Sequence, residues 1–409
     1  MGYRLNRRSF LRFSSLLLGS TAMLRRGLAE EAIAQARGKL MWDPVYLEMP
    51  AALKPAWDHW LALSECLRQN QNDVFARDLA ASGRKEAAPA RIAISFEVAQ
   101  KPAAWFAGPD ARRIANNLRT WQAPCGGWTK NTAMARQPRA PGQRWSPWGD
   151  WDYVGTIDNK ATTSQLEFLA RTHSASGNPA DREAVIRGLR YLLNAQMPSG
   201  GWPQVFPLQG TYHDQITFND DAMVRVLILL RNVKNGKAPW QWVDATLRSE
   251  IDAGVQSGID CILKTQIKVD GQLTAWCAQH HPISLLPVGA RAYELASISG
   301  AETVGILRFL MSLAKPAAPV REAVEAGTAW LRRSQTDAAR LGLKGAKGPH
   351  WARFYEIETN RPLFSDPDGK KRYAFSEVKV KRNSYAWFTP APAEFLRRDY
   401  PKWKARENR

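Results

Sequence analysis

The sequence predicts an all-α fold in which helix hairpins repeat around a toroid. Segments with helical periodicity recur roughly every 70 residues, and each of them ends at a glutamine. Two of these glutamines are followed by the same Gly-Gly-Trp turn, and a second helical pattern lies between successive repeats. Hairpins that repeat in this way bury their apolar faces against their neighbours and so share one continuous core.

The first 36 residues have the character of an export signal. Arg7 and Arg8 stand before the apolar run Leu16–Leu18, and small residues that suit cleavage follow. A basic amphipathic start helix is the alternative interpretation. We exclude residues 1–36 from the fold and expect a bacterial protein that is exported, already folded, to the periplasm or beyond.

The charge of the remaining chain indicates what kind of partner it meets. The formal net charge is +19, and about +15 remains without the export segment. A basic protein outside the cytoplasm does not ordinarily meet nucleic acid, so an anionic polysaccharide or an anionic lipid is the expected partner. Solubility alone is the alternative explanation. We expect no membrane span, since no later apolar run approaches the roughly 20 residues required, and we expect a monomer.

The cysteines give little information about metal binding or disulfide bonds. The four cysteines lack the spacing of a metal site and are too few for a disulfide scaffold. A disulfide between Cys261 and Cys277 stays open from the sequence.

The chain divides into an N-terminal helical region and a repeat region. Residues 37–110 contain short helical patterns such as Trp57–Leu67, and residues 111–400 form the predicted toroid domain. In three repeats a glycine precedes the closing glutamine by the same interval, and a fourth, shorter helix ends at Gln122. The three intervals are Gly188 to Gln196, Gly258 to Gln266 and Gly327 to Gln335.

Second helical patterns follow three polar clusters, and these patterns are the predicted inner helices. They span Thr162–His173, Asp220–Arg231 and Val288–Ser297. If the repeat holds, the clusters lie at equivalent helix N-termini on one rim. Asp and Asn are also ordinary N-caps, but three matching positions favour a site. The clusters are Thr156-Ile157-Asp158-Asn159, Thr217-Phe218-Asn219-Asp220, and Gln279-His280-His281 with Arg291.

After about Gly342 the apolar residues no longer follow a helical periodicity, and the sequence predicts loops with short strands. Arginines recur there beside aromatic residues. A guanidinium pairs with a carboxylate and an aromatic ring stacks on a sugar face, so this composition suits a sugar acid.

Asp158 and Asp220 are the strongest candidates for chemistry. Their carboxylates suit Ca²⁺, which takes oxygen ligands, but they also suit the acid and base of a glycosidase. Arg291 lies beside Glu294, so a plain salt bridge is its alternative role, and Lys130 is by default a solvent-exposed lysine. The sequence contains no P-loop, dinucleotide fingerprint or HExxH motif.

Six motifs in fixed order resemble the family 10 polysaccharide lyases, which are pectate lyases. The resemblance covers roughly residues 100–390 and implies an (α/α)3 toroid with an N-terminal helical region. The motifs are Gly126-Gly-Trp-Thr-Lys-Asn131, Thr156-Ile-Asp-Asn-Lys-Ala-Thr162, Gly200-Gly-Trp-Pro-Gln204, Ile216-Thr-Phe-Asn-Asp220, Ala290-Arg-Ala-Tyr-Glu294, and Ala352-Arg-Phe-Tyr-Glu356 through Arg361-Pro362.

The resemblance implies Ca²⁺-assisted β-elimination on polygalacturonate or oligogalacturonides. It implies that Asp158 and Asp220 are catalytic carboxylates that hold the calcium, and that Arg291 is the base that removes the C5 proton. Arginine is normally protonated, with a pKa above about 12, so this role requires a depressed pKa. The residues implied in substrate binding are Lys130, Asn159, Asn219, His280, Arg353, Arg361 and Arg382.

The chain departs from the family pattern at several positions. His281 stands where the family usually has Asp, and Lys160 stands where it usually has Gly. These changes affect calcium affinity or subsite preference more than the fold. Two alternatives to the lyase stay open at this point: a toroid glycoside hydrolase that uses Asp158 and Asp220, and an inactive binder of pectin fragments.

Overall fold

The computed structural model describes residues 46–98, 100–337, 341 and 349–407. The export signal predicted for residues 1–36 lies outside the described residues and stays a prediction, as do the domain boundaries. Helices dominate the described residues, and the strands have two to four residues each. None of the described helices is both long and apolar enough to cross a bilayer.

The elements follow one another in this order. The helices are α1 (Lys54–Ala81), α2 (Pro109–Thr120), α3 (Thr163–Ser176), α4 (Pro179–Ala195), α5 (Ala222–Lys234), α6 (Ala245–Thr265), α7 (Gly300–Met311), α8 (Ala318–Arg333), α9 (Ala391–Glu394) and α10 (Tyr400–Glu407). The strands are β1 (Ile216–Thr217), β2 (Lys268–Val269), β3 (Gln272–Leu273), β4 (Gln279–His280), β5 (Pro287–Val288), β6 (Ile298–Ser299), β7 (Thr336–Asp337), β8 (Pro349–Ala352), β9 (Phe354–Tyr355) and β10 (Phe388–Thr389).

Three helix hairpins build the toroid: α3 packs on α4, α5 on α6, and α7 on α8. The inner helices α3, α5 and α7 also contact one another in sequence order. An inner helix is apolar on nearly every side because it is surrounded by protein. In α7, the side chains of Val304, Ile306, Leu307, Phe309 and Leu310 are all buried. The predicted (α/α)3 toroid is confirmed.

The glutamine that follows each of the helices α2, α4 and α6 links two repeats. Its side-chain amide donates one hydrogen bond to a carbonyl of the turn that follows and a second one to the next outer helix. Gln122 donates to Gly126 O at 2.8 Å and Ala184 O at 2.9 Å. Gln196 donates to Gly200 O and Gly254 O, and Gln266 donates to Thr274 O and Ala323 O.

The tryptophan of each turn packs back onto the helix that precedes it. The indole N–H groups of Trp128, Trp202 and Trp276 donate to Leu118 O, Leu192 O and Ile262 O at 2.7–2.8 Å. The repeat glycine makes room for this ring. A Cβ added to Gly258 would lie 2.5 Å from Leu227 Cδ2 and 3.0 Å from Trp202 Cζ3. The constant interval between glycine and glutamine therefore reflects close packing.

The N-terminal helix α1 lies against the outside of the toroid. The indole N–H of Trp60 donates to Asn194 O at 3.0 Å, and its ring stacks on Phe206 at 5.3 Å. Helix α1 is thus held by the end of α4 and by the loop that follows it.

Small β-sheets connect the loops at the rim and lie next to the start of the inner helices. Strands β1, β4 and β5 form one antiparallel sheet, in which Ile216 is paired with His280 and Gln279 with Val288. Strand β6 pairs with β9, so Phe354 lies opposite Ser299, the N-cap residue of α7. The C-terminal part, which follows the toroid in sequence, thereby returns to the same rim.

One expectation from the sequence needs correction, and one question that the sequence left open is answered. The predicted inner helix at Val288–Ser297 is wrong: that segment is a strand followed by a turn, and the third inner helix is α7. Gly289 interrupts the segment, and the turn closes where Glu294 N donates to Arg291 O at 2.7 Å. The disulfide left open between Cys261 and Cys277 is not formed, since all four cysteines are free.

We expect the replacement Gln266→Ala to lower the free energy of unfolding by about 2–3 kcal/mol, because it leaves two buried carbonyls without a partner. Urea denaturation measures this. Gln256→Ala is the matched control, because this exposed glutamine on the same helix bonds only to Asp260, and its loss should change stability by less than about 0.5 kcal/mol. Equal effects at both positions would contradict the structural role of the repeat glutamines.

Candidate active site

Two short turns carry the acidic candidates, and they pack against each other at one rim of the toroid. The turn Asp158–Lys160 precedes α3, and the turn Asn219–Asp221 precedes α5. Asn159 has a φ of 49° and Asp220 a φ of 52°, both in the left-handed region. Such backbone costs about 1–3 kcal/mol per residue and is concentrated at functional sites.

Asp158 is a buried carboxylate with a fixed orientation. Its Oδ1 accepts a hydrogen bond from the backbone N–H of Asn159 at 2.9 Å, and its Oδ2 lies 2.5 Å from Lys130 Nζ. The same ammonium group lies 3.6 Å from the centre of the Tyr153 ring. Lys130 is therefore not a solvent lysine: its charge is aimed at Asp158 from within the cleft.

Asp220 is the centre of a second charged group. Arg353 Nη2 donates to Asp220 Oδ1 at 3.2 Å, to Asn219 Oδ1 at 3.1 Å and to Glu302 Oε1 at 2.7 Å. Loss of solvent raises the pKa of Asp220, and the charges of Glu302 and Asp158 raise it further while Arg353 opposes the shift. The influence of Asp158 shows that the two acidic turns share one electrostatic environment.

Arg291 lies on the loop before α7, paired with an acid. Its Nε and Nη2 donate to the two carboxylate oxygens of Glu294 at 2.7 and 2.5 Å, and the hydroxyl of Tyr385 donates to the same carboxylate at 2.7 Å. The Arg291 side chain is 45% exposed, whereas Glu294 is buried. The hydrogen bonds to Glu294 raise the pKa of Arg291, which is the opposite of what a resting base requires.

Two rings that the sequence did not predict, those of Tyr153 and His213, lie beside Lys130. Tyr153 OH lies 3.1 Å from His213 Nε2, and the two rings meet edge to face at 4.9 Å. Burial lowers the pKa of His213 to about 4, and the nearby charges of Lys130, Asp158 and Arg291 also affect that pKa. His213 is thus a neutral group at the centre of the charged cluster.

The predicted C-terminal arginines divide into two groups. Arg353 lies in the cluster, whereas Arg361 and Arg382 are exposed and lie over Tyr373 and Phe375, at 3.8 and 4.8 Å from the ring centres. Within the described residues, no hydrogen bond or ion pair joins either one to Asp158, Asp220 or Arg291. A cation that the sequence did not predict, Lys381, lies 4.7 Å from the centre of the Tyr293 ring, beside Arg291.

His280 does not line the cleft. It is fully buried on β4, and Cys277 N donates to its Nε2 at 3.1 Å while its Nδ1 lies 2.9 Å from Leu285 O. Burial lowers the pKa of His280 to about 4. This neutral, buried histidine therefore supports the loop before Arg291. Its contact with substrate stays a prediction that the buried position does not favour.

The two departures from the family pattern lie apart from the acidic oxygens. The Lys160 ammonium is paired with Glu97 of the N-terminal region. His281 Nδ1 accepts hydrogen bonds from Ile283 N and Ser284 N at 3.2 and 3.1 Å. Lys160 therefore does not pair with Asp158, and His281 shapes its own loop.

The donor set fits a hard cation only in part. Asp158, Asp220, Asn159 and Asn219 offer carboxylate and amide oxygens, which Ca²⁺ prefers. Within the described residues, however, no three His, Cys, Asp or Glu side chains form a cluster that could hold a metal ion. Among the described residues the two acidic turns thus offer the carboxylates of Asp158 and Asp220, and a carboxylate from a bound ligand would extend that set.

Comparisons with known proteins identify the family of this chain. Residues 122–396 match the profile of the pectic acid lyase family. An aspartate-to-alanine mutant of the family 10 polysaccharide lyase from Cellvibrio cellulosa, in complex with trigalacturonic acid, is similar at 33% identity and a TM-score of 0.63. That match covers 73% of this chain and 95% of the other.

A second solved structure, the family 10 polysaccharide lyase from Cellvibrio cellulosa, has the same identity of 33% and the same TM-score of 0.63, over 75% of this chain and 98% of the other. The search of curated proteins found no match. The resemblance seen in the sequence motifs is confirmed: this chain belongs to the pectic acid lyase family, with the family 10 polysaccharide lyases, and is a pectate lyase.

Proposed function

We propose that this pectate lyase cleaves α-1,4-polygalacturonate by calcium-assisted β-elimination, with Arg291 as the base, and releases 4,5-unsaturated oligogalacturonides. The observation that carries the proposal is the pattern of charge at the rim, where Asp158 and Asp220 each hold a cation close to Arg291. The relative that binds trigalacturonic acid supports an oligogalacturonide as the ligand.

Asp158 and Asp220 would hold the calcium ion, with the amide oxygens of Asn159 and Asn219 beside them. Bound calcium would neutralise the uronate carboxylate and so make the proton on C5 more acidic. Two protein carboxylates leave coordination positions for the substrate, because Ca²⁺ takes six to eight oxygen ligands. In this proposal the uronate carboxylate completes the set.

Lys130 and Arg353 hold the acidic oxygens in place before substrate arrives. Each is a cation that a uronate carboxylate also attracts, and charge-assisted hydrogen bonds are about twice as strong as neutral ones. Lys381 adds a further cation beside Arg291.

Arg291 removes the C5 proton in the proposed reaction. The electron pair left on C5 forms the C4–C5 double bond, the bond from C4 to the glycosidic oxygen breaks, and that oxygen takes a proton from water. Arg291 must first become neutral and turn away from Glu294. Among the described residues, its guanidinium also lies over the rings of Tyr293 and Tyr385. Rotating it away from Glu294 breaks one ion pair.

We also propose that the enzyme acts in the periplasm or outside the cell. The twin arginines Arg7 and Arg8 support export, and a polymer such as polygalacturonate does not cross a membrane to reach a cytoplasmic enzyme.

Incubation of de-esterified polygalacturonate with the mature chain tests the proposed reaction. We expect the ultraviolet absorbance of the C4–C5 double bond to rise in the presence of Ca²⁺ and to stop rising after a chelator is added, because the uronate carboxylate then stays charged. New reducing ends without that absorbance would indicate hydrolysis. Binding of the polymer without either product would indicate an inactive binder.

The pH dependence of the rate tests Arg291 as the base. Because Glu294 raises the pKa of Arg291, the neutral form grows about tenfold per pH unit, and kcat/KM should keep rising into the alkaline range. Arg291→Ala should lower kcat by about 10²–10⁴-fold. The control is Arg113→Ala, which removes an exposed arginine with the same i,i+3 relation to an acid, Asp110.

A rate that already reaches a plateau near pH 5 would contradict this assignment. It would point to His213, whose pKa is lowered to about 4, as the group that takes the proton.

A further inference from the structure

The loop between Arg144 and Tyr153 presents one aromatic side chain to solvent. Trp148 is 42% exposed, and it is the only aromatic residue among the large hydrophobic side chains that are exposed in the described part of the chain. An exposed indole does not contribute the stabilisation that burial of its large apolar surface would give to the fold. The position of Trp148 therefore calls for a ligand rather than for packing.

The loop that carries Trp148 is anchored to the N-terminal helix. Its two other tryptophans, Trp145 and Trp151, stack on each other at 5.6 Å, and both pack edge-on against Phe75 of α1. The backbone N–H of Trp148 donates to the hydroxyl of buried Ser146 at 3.2 Å. An indole held in this way loses little conformational freedom when it binds a ligand.

Trp148 is joined to the catalytic cluster by three consecutive contacts. Its ring meets Tyr153 edge to face at 5.5 Å, the Tyr153 ring lies 3.6 Å from Lys130 Nζ, and that ammonium lies 2.5 Å from Asp158. Because Tyr153 and Lys130 lie between them, a sugar ring bound at Asp158 cannot also stack on Trp148. A longer chain in the same cleft can reach both.

We propose that Trp148 is a stacking platform for a distal sugar ring of the bound polygalacturonate chain, a subsite that discriminates long substrates from short ones. The inference rests on the proposed function, since it takes the polymer to be the substrate. The face of a pyranose carries C–H groups that pack on an aromatic ring. Trp148 is followed closely in sequence by two carboxylates, Asp150 and Asp152, and the nearby cation Arg144 is already paired with Asp150. Trp148 is therefore proposed to recognise the face of the sugar ring and not the sugar's carboxylate.

The test compares Trp148→Ala with the wild-type enzyme on polygalacturonate and on trigalacturonate. We expect KM for the polymer to rise about 3–10-fold with kcat unchanged, since a stacking contact contributes to binding and not to proton removal. Kinetics on trigalacturonate should not change. Trp148→Phe should recover most of the affinity for the polymer, and Leu47→Ala, at another exposed apolar residue, should have no effect.

Ionic strength gives a second measurement. Salt weakens contacts between exposed charges but not ring stacking, so the ratio of the two KM values for the polymer should stay constant as salt increases. A Trp148→Ala enzyme that equals the wild type on the polymer would overturn the inference and leave the lyase intact. An equal loss on trigalacturonate and on the polymer would also overturn it, because Trp148 would then act on the catalytic centre or the fold.

Failure of the proposed function has a different signature. If the wild-type chain forms no unsaturated product, electrophoresis through gels that contain polygalacturonate and calcium still measures binding. Retardation that weakens with Trp148→Ala and returns with Trp148→Phe would support the platform without the lyase. Equal retardation of the wild type and both variants would overturn it.

Discussion

The architecture depends on one interaction that occurs three times: a glutamine side chain at the end of an outer helix bonds both to its own turn and to the next outer helix. Gln122, Gln196 and Gln266 make this pair of bonds, and the third does so even though its turn is longer and contains the hairpin β2–β3. The tryptophan that follows each glutamine fills the space over the repeat glycine. Because each turn is fixed at both ends, the chain that leaves it delivers the start of an inner helix to the same rim.

At that rim, charge balance sets what the site can do. Asp158 is paired with Lys130, Asp220 with Arg353, and Arg291 with Glu294, so each acid holds a cation in the structure. In the proposed reaction a polyanionic substrate would compete for those cations and leave the acids free for a divalent ion. The same pairing raises the pKa of Arg291, which means that a base role depends on substrate drawing the guanidinium away from Glu294. Substrate and metal are therefore expected to bind together.

The sequence predicted the structure of the repeated segments correctly. Its predictions were wrong where the chain departs from the repeat. The outer helices follow from apolar periodicity with a fixed glycine-to-glutamine interval, and the acidic turns follow from their equivalent positions. The segment Val288–Ser297 has helical spacing, yet Gly289 and the turn at Arg291–Glu294 prevail over it. The sequence marked His280 as a site residue because it belongs to the third cluster, but its side chain on β4 is fully buried. Tyr153, His213 and Lys381 had no motif or spacing to mark them, since only tertiary contacts bring them to Arg291 and Lys130.

The measurement that tests this account most directly is a calorimetric titration of Ca²⁺ into the Arg291→Ala protein, with and without trigalacturonate. The variant prevents turnover during the titration. Because Asp158 and Asp220 are held in ion pairs and the proposed site is completed by a substrate carboxylate, calcium should bind weakly alone. It should bind at least about tenfold more tightly with the sugar present, with the same factor for sugar binding in the presence of calcium. Tight calcium binding that the sugar leaves unchanged would contradict a site completed by substrate.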